Sequence, residues 1–364
     1  MTTPLFAAIR DEIVETGPID IARYMALCLG HPVHGYYRTR DPLGARGDFV
    51  TAPEISQMFG ELIGIWIALT WASMGGPNPL VLAELGPGRG TLMADALRAL
   101  GRAAPDGKPA IHLVETSPVL RAAQASRLGA AFPTWHDGIE TLPDGPMIVI
   151  ANEFFDALPV RQFQRTERGW CERLVGLSPD GGRLAFGLAA EPDREIAAQA
   201  PVGALMTVPG PALDIVRTLS RRIVAQGGAL LAIDYGHVRP GFGDTLQAVS
   251  AHRFTDPLLA PGEADLTTHV DFAALGRAAA GEGARIDGPL DQQAFLLNLG
   301  LRQRADRLKG AASHAQAEAI DAAFHRLTAS GKRGMGSLFQ AIGIVDPRLA
   351  SLSGFNSVAS TIKT

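Results

Sequence analysis

The run Val81-Leu82-Ala83-Glu84-Leu85-Gly86-Pro87-Gly88-Arg89-Gly90-Thr91-Leu92 constrains the fold of this chain more than any other segment. An apolar strand ends beside an acid and passes into a turn with glycine at alternate positions. Such glycines let the backbone turn tightly and approach a ligand that a Cβ would push away, and the next helix then starts against that ligand. The fingerprint of dinucleotide-binding sheets is Gly-x-Gly-x-x-Gly, with its third glycine one position later. That position is Thr91 here, which weakens a nicotinamide-dinucleotide reading. The segment predicts a cofactor at the end of a buried strand, with an ordinary tight strand-to-helix turn as the alternative.

A second strand, Ile111-His112-Leu113-Val114, ends in Glu115. In nucleotide-binding α/β units an acid at this place accepts both ribose hydroxyls, because a carboxylate offers two oxygens to two adjacent donors. Glu115 also suits the start of a helix, with Thr116, Ser117 and Pro118 as the start signal, and both roles can hold at once. Strand, acid and Gly-x-Gly-x-Gly turn together are how class I methyltransferases hold S-adenosylmethionine. Further on, Trp135-His136-Asp137 ends a weaker strand, where Asp137 would meet the adenine amino group.

From Pro79 the chain alternates strands near 80–85, 110–115, 146–151 and 228–234 with helices near 90–101, 117–129 and 211–226, the rhythm of a doubly wound parallel sheet. Upstream, Leu5, Ile9 and Ile13, then Ile21, Tyr24, Met25 and Leu27, recur at helical spacing and break at Gly17-Pro18. A long glycine-rich loop from His31 to Ser56 follows, then a helix expected over Ile55 to Trp71. Short strands at 161–164, 170–177 and 184–188 interrupt the rhythm, and Leu338 to Val345 supplies a late strand. These patterns predict a helical and loop region over 1–78 that covers the cofactor site. A core follows over 79–160 and 205–364, with a β-rich insertion over 161–204.

Composition narrows the function classes. Across 364 residues the formal net charge is −4, which gives no electrostatic footprint for nucleic acid. Cys28 and Cys171 stand apart without CxxC company, so neither a disulfide framework nor a metal site is expected, and a reducing compartment fits. The most apolar stretch, Leu62 to Met74, is shorter than the roughly 20 residues of a membrane span. Acidic Asp11, Glu12 and Glu15 suit no targeting presequence, so the expected location is cytoplasmic.

Ligands of open α/β sheets sit outside the carboxyl ends of the strands. After the fourth strand, Met147-Ile148-Val149-Ile150-Ala151, the chain reads Asn152-Glu153-Phe154-Phe155-Asp156-Ala157-Leu158-Pro159. Two acids and an amide appear abruptly where a buried strand emerges. Asn152, Glu153 and Asp156 are therefore the candidate catalytic residues on the acceptor side, against the simpler reading of Asn152 as a helix cap.

Several stretches together carry a family resemblance: Gly35-Tyr36-Tyr37, Gly47-Asp48-Phe49-Val50-Thr51-Ala52-Pro53-Glu54, Glu84-Leu85-Gly86-Pro87-Gly88-Arg89-Gly90-Thr91, Val114-Glu115-Thr116-Ser117-Pro118, Asn152-Glu153-Phe154-Phe155-Asp156-Ala157-Leu158-Pro159, Ile233-Asp234-Tyr235-Gly236 and Asp265-Leu266-Thr267-Thr268-His269. In these the chain resembles the MidA family, whose mitochondrial members are arginine methyltransferases needed for respiratory complex I assembly. The resemblance implies a class I, Rossmann-like α/β fold, S-adenosyl-L-methionine as cofactor, and symmetric ω-N dimethylation of an arginine in a partner protein, the counterpart of a complex I subunit. Within it Gly86, Gly88 and Gly90 line the donor and Glu115 takes the ribose. The loop from Gly47 to Thr51 covers the methionine end, and Asp48 and Glu84 each offer a partner to its ammonium. Glu153 and Asp156 would clamp a guanidinium, which is cationic at any physiological pH. An S-adenosylmethionine-binding assembly factor without turnover and a small-molecule methyltransferase remain as alternatives.

Overall fold

A computed structural model describes residues 3–39, 51–250, 252–331 and 334–356. The expected cofactor residues Gly47 and Asp48 lie outside the described residues. The chain divides into two compact units. One comprises Met1–Phe49, Phe155–Asp214 and Arg239–Asp271, the other Val50–Phe154, Ile215–Val238 and Phe272–Thr364.

The second of these units is built on the alternating segments. Its strands are β1 (Val81–Leu85), β2 (Ala110–Val114), β3 (Thr134–His136), β4 (Met147–Asn152), β5 (Gly228–His237), β6 (Arg285–Asp291) and β7 (Phe339–Val345). They lie in the order β6-β7-β5-β4-β1-β2-β3. The pairs β3-β2, β2-β1, β1-β4 and β4-β5 are parallel, whereas β7 runs antiparallel to both β5 and β6. Every residue of β1 and β4 is buried, as befits parallel strands covered on both faces. From β1 the chain proceeds outward to β2 and β3, then returns to lay β4 on the other side of β1. Strand order therefore reverses between β1 and β4, and the crevice outside their carboxyl ends is where such sheets bind ligands.

Three helices matter for that crevice: α1 (Gln57–Ser73), α2 (Thr91–Ala103) and α3 (Pro118–Leu128). Helix α1 is buried nearly all round, including Phe59, Ile63, Trp66 and Ile67, so it belongs to the core rather than to a surface face. Its start differs from the sequence expectation. A short helix, Ala52–Ile55, ends at Ser56, whose extended backbone (φ −163°) and hydroxyl, accepting the Met58 N–H at 3.2 Å, begin α1 as a new helix. Helix α2 buries Leu92, Met93, Ala96, Ala99 and Leu100 along one stripe. Helix α3 buries only Leu120, Gln124 and Leu128.

The other unit holds the helices Pro4–Thr16 and Ile21–Gly30 against a sheet in which Ile19–Asp20, Gly169–Leu177, Arg161–Thr166 and Leu205–Val208 follow one another, with Leu184–Leu188 also paired to Gly169–Leu177. Its core gathers Leu5, Ile9, Ile21, Tyr24, Met25, Val160 and Val175. A small sheet of Gln247–Ser250, Arg253–Thr255 and Asp265–Thr267 completes it. Among the described residues no helix is long and apolar enough to cross a membrane.

Candidate functional site

At the carboxyl end of β1 the glycine turn takes the conformation its composition allows. Gly86, Gly88 and Gly90 all have positive φ, at 59°, 53° and 77°. The turn is crowded from both sides. A Cβ on Gly86 would stand 2.9 Å from the Phe154 ring, and one on Gly90 would meet Leu128 at 3.2 Å. Helix α2 starts directly after Gly90 with no side chain capping its first N–H groups, the arrangement that favours a negatively charged ligand group.

Glu84, the acid of β1, is 3 % exposed, and its Oε2 is buried without a hydrogen-bond partner. Burial alone pushes its carboxyl up to about 8. An unpaired acid in such a place is suited to a cationic ligand group, which would restore its charge.

Glu115 follows β2 and is also buried. Its Oε1 accepts the Ser117 N–H at 2.7 Å and its Oε2 accepts from the Gln124 amide at 3.3 Å. Burial raises its carboxyl above the ordinary value, against the pull of those N–H donors and of the Arg121 guanidinium. The Ser117 bond braces the residue before α3, whose N-cap is Ser117 rather than Glu115. Asp137 lies differently. Its side chain is 87 % exposed and forms an ion pair with Arg121 at 2.7 Å.

On the opposite side of β1, Asn152 closes β4 and Glu153 follows in the left-handed region, at φ 51°. That conformation is uncommon for a residue with a side chain and is a form of strain that concentrates at functional sites. The backbone is held there by Asp234, fully buried on β5. Its carboxylate accepts the Phe154 N–H at 3.1 Å and the Tyr235 N–H at 2.9 Å, while the Glu153 N–H donates to the Ile233 carbonyl at 2.9 Å. The Glu153 carboxylate accepts from the Ala52 N–H at 3.0 Å and from the Asn152 amide at 3.2 Å. Asn152 Oδ1, in turn, is buried with no hydrogen-bond partner.

Thr51 precedes the short helix whose Ala52 N–H meets Glu153. Two residues on, Glu54 accepts the Thr91 hydroxyl at 2.5 Å and lies 3.9 Å from the Arg89 guanidinium, so this segment is fastened to both the glycine turn and the β4 end. Sequence reasoning gave no role to Glu54, Gln124 or Asp234. For Gln124 a signal existed: it is the one polar residue in the buried stripe Leu120, Gln124, Leu128.

Thr51, Glu84, Gly86, Gly88, Gly90, Glu115, Asp137, Asn152 and Glu153 all belong to the unit that carries β1 to β7, whereas Asp156 belongs to the other. There Asp156 is buried, its carbonyl accepts the Thr268 N–H at 2.9 Å, and its charge is felt by Tyr37, whose hydroxyl donates to Asp265 at 2.9 Å. Burial drives the Tyr37 phenol well above its usual range. Among the described residues no group of His, Cys, Asp and Glu is arranged to hold a metal ion.

The residues of the β1–β4 crevice fit a ligand that carries a cation and vicinal hydroxyls: an orphaned acid, a second acid after β2, and a turn with three glycines. Known proteins point the same way. Residues 62–290 match a family of S-adenosyl-L-methionine-dependent methyltransferases. The mitochondrial protein arginine methyltransferase NDUFAF7 of Homo sapiens is 40% identical over 83% of this chain and 74% of its own length. Its homolog in Drosophila melanogaster is 37% identical over 94% of this chain and 85% of its own. A crystal structure from Burkholderia thailandensis, bound to S-adenosyl-homocysteine, superposes with a TM-score of 0.82 at 29% identity, covering 96% of this chain and 94% of that one.

Proposed function

We propose, from the premise that this chain belongs to the family of S-adenosyl-L-methionine-dependent methyltransferases, that it methylates an arginine side chain of a partner protein. The observation that carries the proposal is a pair of orphaned oxygens on adjacent strands. Glu84 Oε2 on β1 and Asn152 Oδ1 on β4 are both buried and both lack a partner. Glu84 pairs in register with Ile150, two residues before Asn152, so the two oxygens belong to the same end of the sheet. Leaving two buried acceptors unmade costs on the order of 1 to 3 kcal/mol each, a cost offset once ligands supply the donors.

When bound, S-adenosyl-L-methionine supplies an electrophilic methyl group on a sulfonium. In this assignment Gly86, Gly88 and Gly90 admit the donor against the backbone, Glu115 accepts its ribose hydroxyls and Glu84 takes its ammonium. Asn152 Oδ1 accepts an N–H of the incoming guanidinium, which fixes the nitrogen that faces the methyl. Glu153, held in place by the Ala52 N–H and the Asn152 amide, provides the negative charge that favours an arginine. A guanidinium nitrogen must lose a proton as it gains the methyl, and Glu153 is the acceptor assigned to it. The arginine itself, rather than another nitrogen, is favoured by the names of the relatives at 37% to 41% identity. Symmetric dimethylation and a complex I subunit counterpart as partner extend the same reading.

The test is methyl transfer. Glu153→Gln is expected to keep donor affinity while lowering methylation of the partner at least about tenfold, about 1.4 kcal/mol of barrier. Mass spectrometry of the complex I subunit counterpart, from cells with and without this gene, should show an arginine dimethyl mark that depends on it. Unchanged arginine masses would sink the assignment for that partner, and donor binding without transfer to any protein would favour an assembly factor.

A further inference from the structure

Helix α3 buries one stripe, and its middle position is a glutamine with no exposed surface. Burying a primary amide costs free energy unless all its polar atoms are matched, and a leucine would continue the stripe of Leu120 and Leu128 without that cost. The amide of Gln124 is matched completely. Its Nε2 donates to the Gly88 carbonyl at 2.7 Å and to Glu115 Oε2 at 3.3 Å, and its Oε1 accepts the Trp135 indole N–H at 2.8 Å. The orientation of the amide is fixed by chemistry, since an indole nitrogen only donates.

Those three partners belong to three adjacent strands or the turns that follow them. Gly88 is the middle glycine after β1, Glu115 follows β2, and Trp135 lies within β3. Packing alone does not require the amide, because the close approach of α3 to the turn is already set by Leu128 and the Gln124 backbone against Gly90. Two consequences follow from the amide itself. The Gly88 carbonyl is turned toward α3, which fixes the peptide plane within a turn free to adopt others. The Glu115 carboxylate is gripped from both sides, by Ser117 and by Gln124, so its plane is set before any ligand arrives.

We propose that Gln124 is a positioning residue for donor binding: it locks the glycine turn and the ribose-side acid into one geometry, so that both meet the donor at once. The proposal rests on the assignment of Glu115 to the ribose. Preorganisation of this kind lowers the ordering cost of binding rather than adding a contact to the ligand.

S-adenosylhomocysteine, titrated calorimetrically into the full chain, is the probe. Gln124→Leu keeps the stripe apolar and is expected to weaken binding about tenfold, through the ordering of the turn and of Glu115 that binding must then supply. Because it strands the Trp135 N–H, the double variant Gln124→Leu/Trp135→Phe is compared with Trp135→Phe alone and should show the same loss. Gln124→Glu separates positioning from packing. With one proton shared between residues 115 and 124 the pair imitates the native amide and acid. With none the two carboxylates repel each other and the Gly88 carbonyl, and with two Glu115 is neutral. Relative to the native protein, its affinity should therefore pass through a maximum with pH. The other charged and titratable groups near this pair, Arg121, Asp137 and His136 of β3, are unchanged and cancel in the ratio. A flat ratio, or a double variant within about twofold of Trp135→Phe, overturns the proposal. Glu115→Ala tells the two ideas apart. Native affinity in that variant removes the ribose assignment and the proposal with it, whereas weakened binding there alongside unaffected Gln124 variants removes the proposal alone.

Discussion

A carboxyl group sealed inside a parallel sheet without a partner weakens the protein that carries it, and Glu84 is such a group. Its acid is raised from 4.5 to about 8 by burial, so the folded chain binds a proton that the unfolded chain releases between those values. Stability from this group is therefore complete below about pH 4.5, declines as pH rises, and is lost once pH passes about 8. Glu84→Gln should remove the decline. Melting curves without ligand are expected to show the variant more stable than the native protein at pH 8 and above, by an amount on the order of a few kcal/mol, and equal to it in acid. Equal alkaline stability would mean that Glu84 is not held neutral. The same variant should bind donor poorly, because it has no charge to regain. At this scale sequence is informative about position wherever the pattern is local: the glycines, Glu84, Glu115 and Asn152 lie at or directly after the strand ends where the apolar runs place them. Gln124 shows in sequence only as a polar break in an apolar stripe, and Asp234 not at all, because their roles depend on which loop a neighbouring strand or helix face meets. The left-handed backbone of Glu153 is equally invisible, being imposed by Asp234 from β5.

At the level of elements, the donor turn depends on how closely two helices pack. Gly60 and Gly64 lie one turn apart on α1 and face α2. A Cβ on Gly64 would fall 2.3 Å from the Ala96 carbonyl oxygen, and one on Gly60 would fall 2.6 Å from the Asp95 Cβ. The obstacle at Gly64 is backbone, so α2 would have to shift as a body, and its first turn follows Gly90. Gly64→Ala is expected to lower stability by about 1 to 3 kcal/mol in urea denaturation, the usual cost of overpacking, and to weaken donor binding through the displaced turn. Gly101, on the exposed part of α2 with open space around it, is the control. Gly101→Ala should stabilise the protein by about 0.5 to 1 kcal/mol and leave donor affinity alone. If both substitutions act alike, the close crossing is not what holds the turn. Strands β1, β2, β4 and β5 and helices α2 and α3 lie within a few residues of the ranges their patterns predict, since apolar runs and helical stripes are local, whereas no pattern announces β6. The break at Ser56 leaves no mark in sequence, because Ile55 and Met58 continue an apolar pattern across it and only the extended backbone of the cap interrupts the helix.

For the whole molecule, the alternation of elements announces a parallel sheet but not the place of each strand in it. Segment order is compatible with many sheet orders, and the position of β7 depends on pairings made over more than a hundred residues, from Ala229 to Val345. The assignment of Asp156 and Glu153 to different units was equally out of reach, because the two are neighbours in sequence. The late position of β7 has a consequence for how the protein is made. During synthesis β5 and β6 emerge well before the strand that separates them, and each then exposes a row of unpaired N–H and carbonyl groups beside apolar residues such as Leu231 and Ile233. A chain stopped just before Phe339 should consequently retain helices but sediment as aggregate, and adding a peptide covering residues 339–345 should restore part of its solubility. The molecule is thus kept adhesive until the ribosome has delivered β7, and a nascent chain has reason to meet a chaperone during that interval.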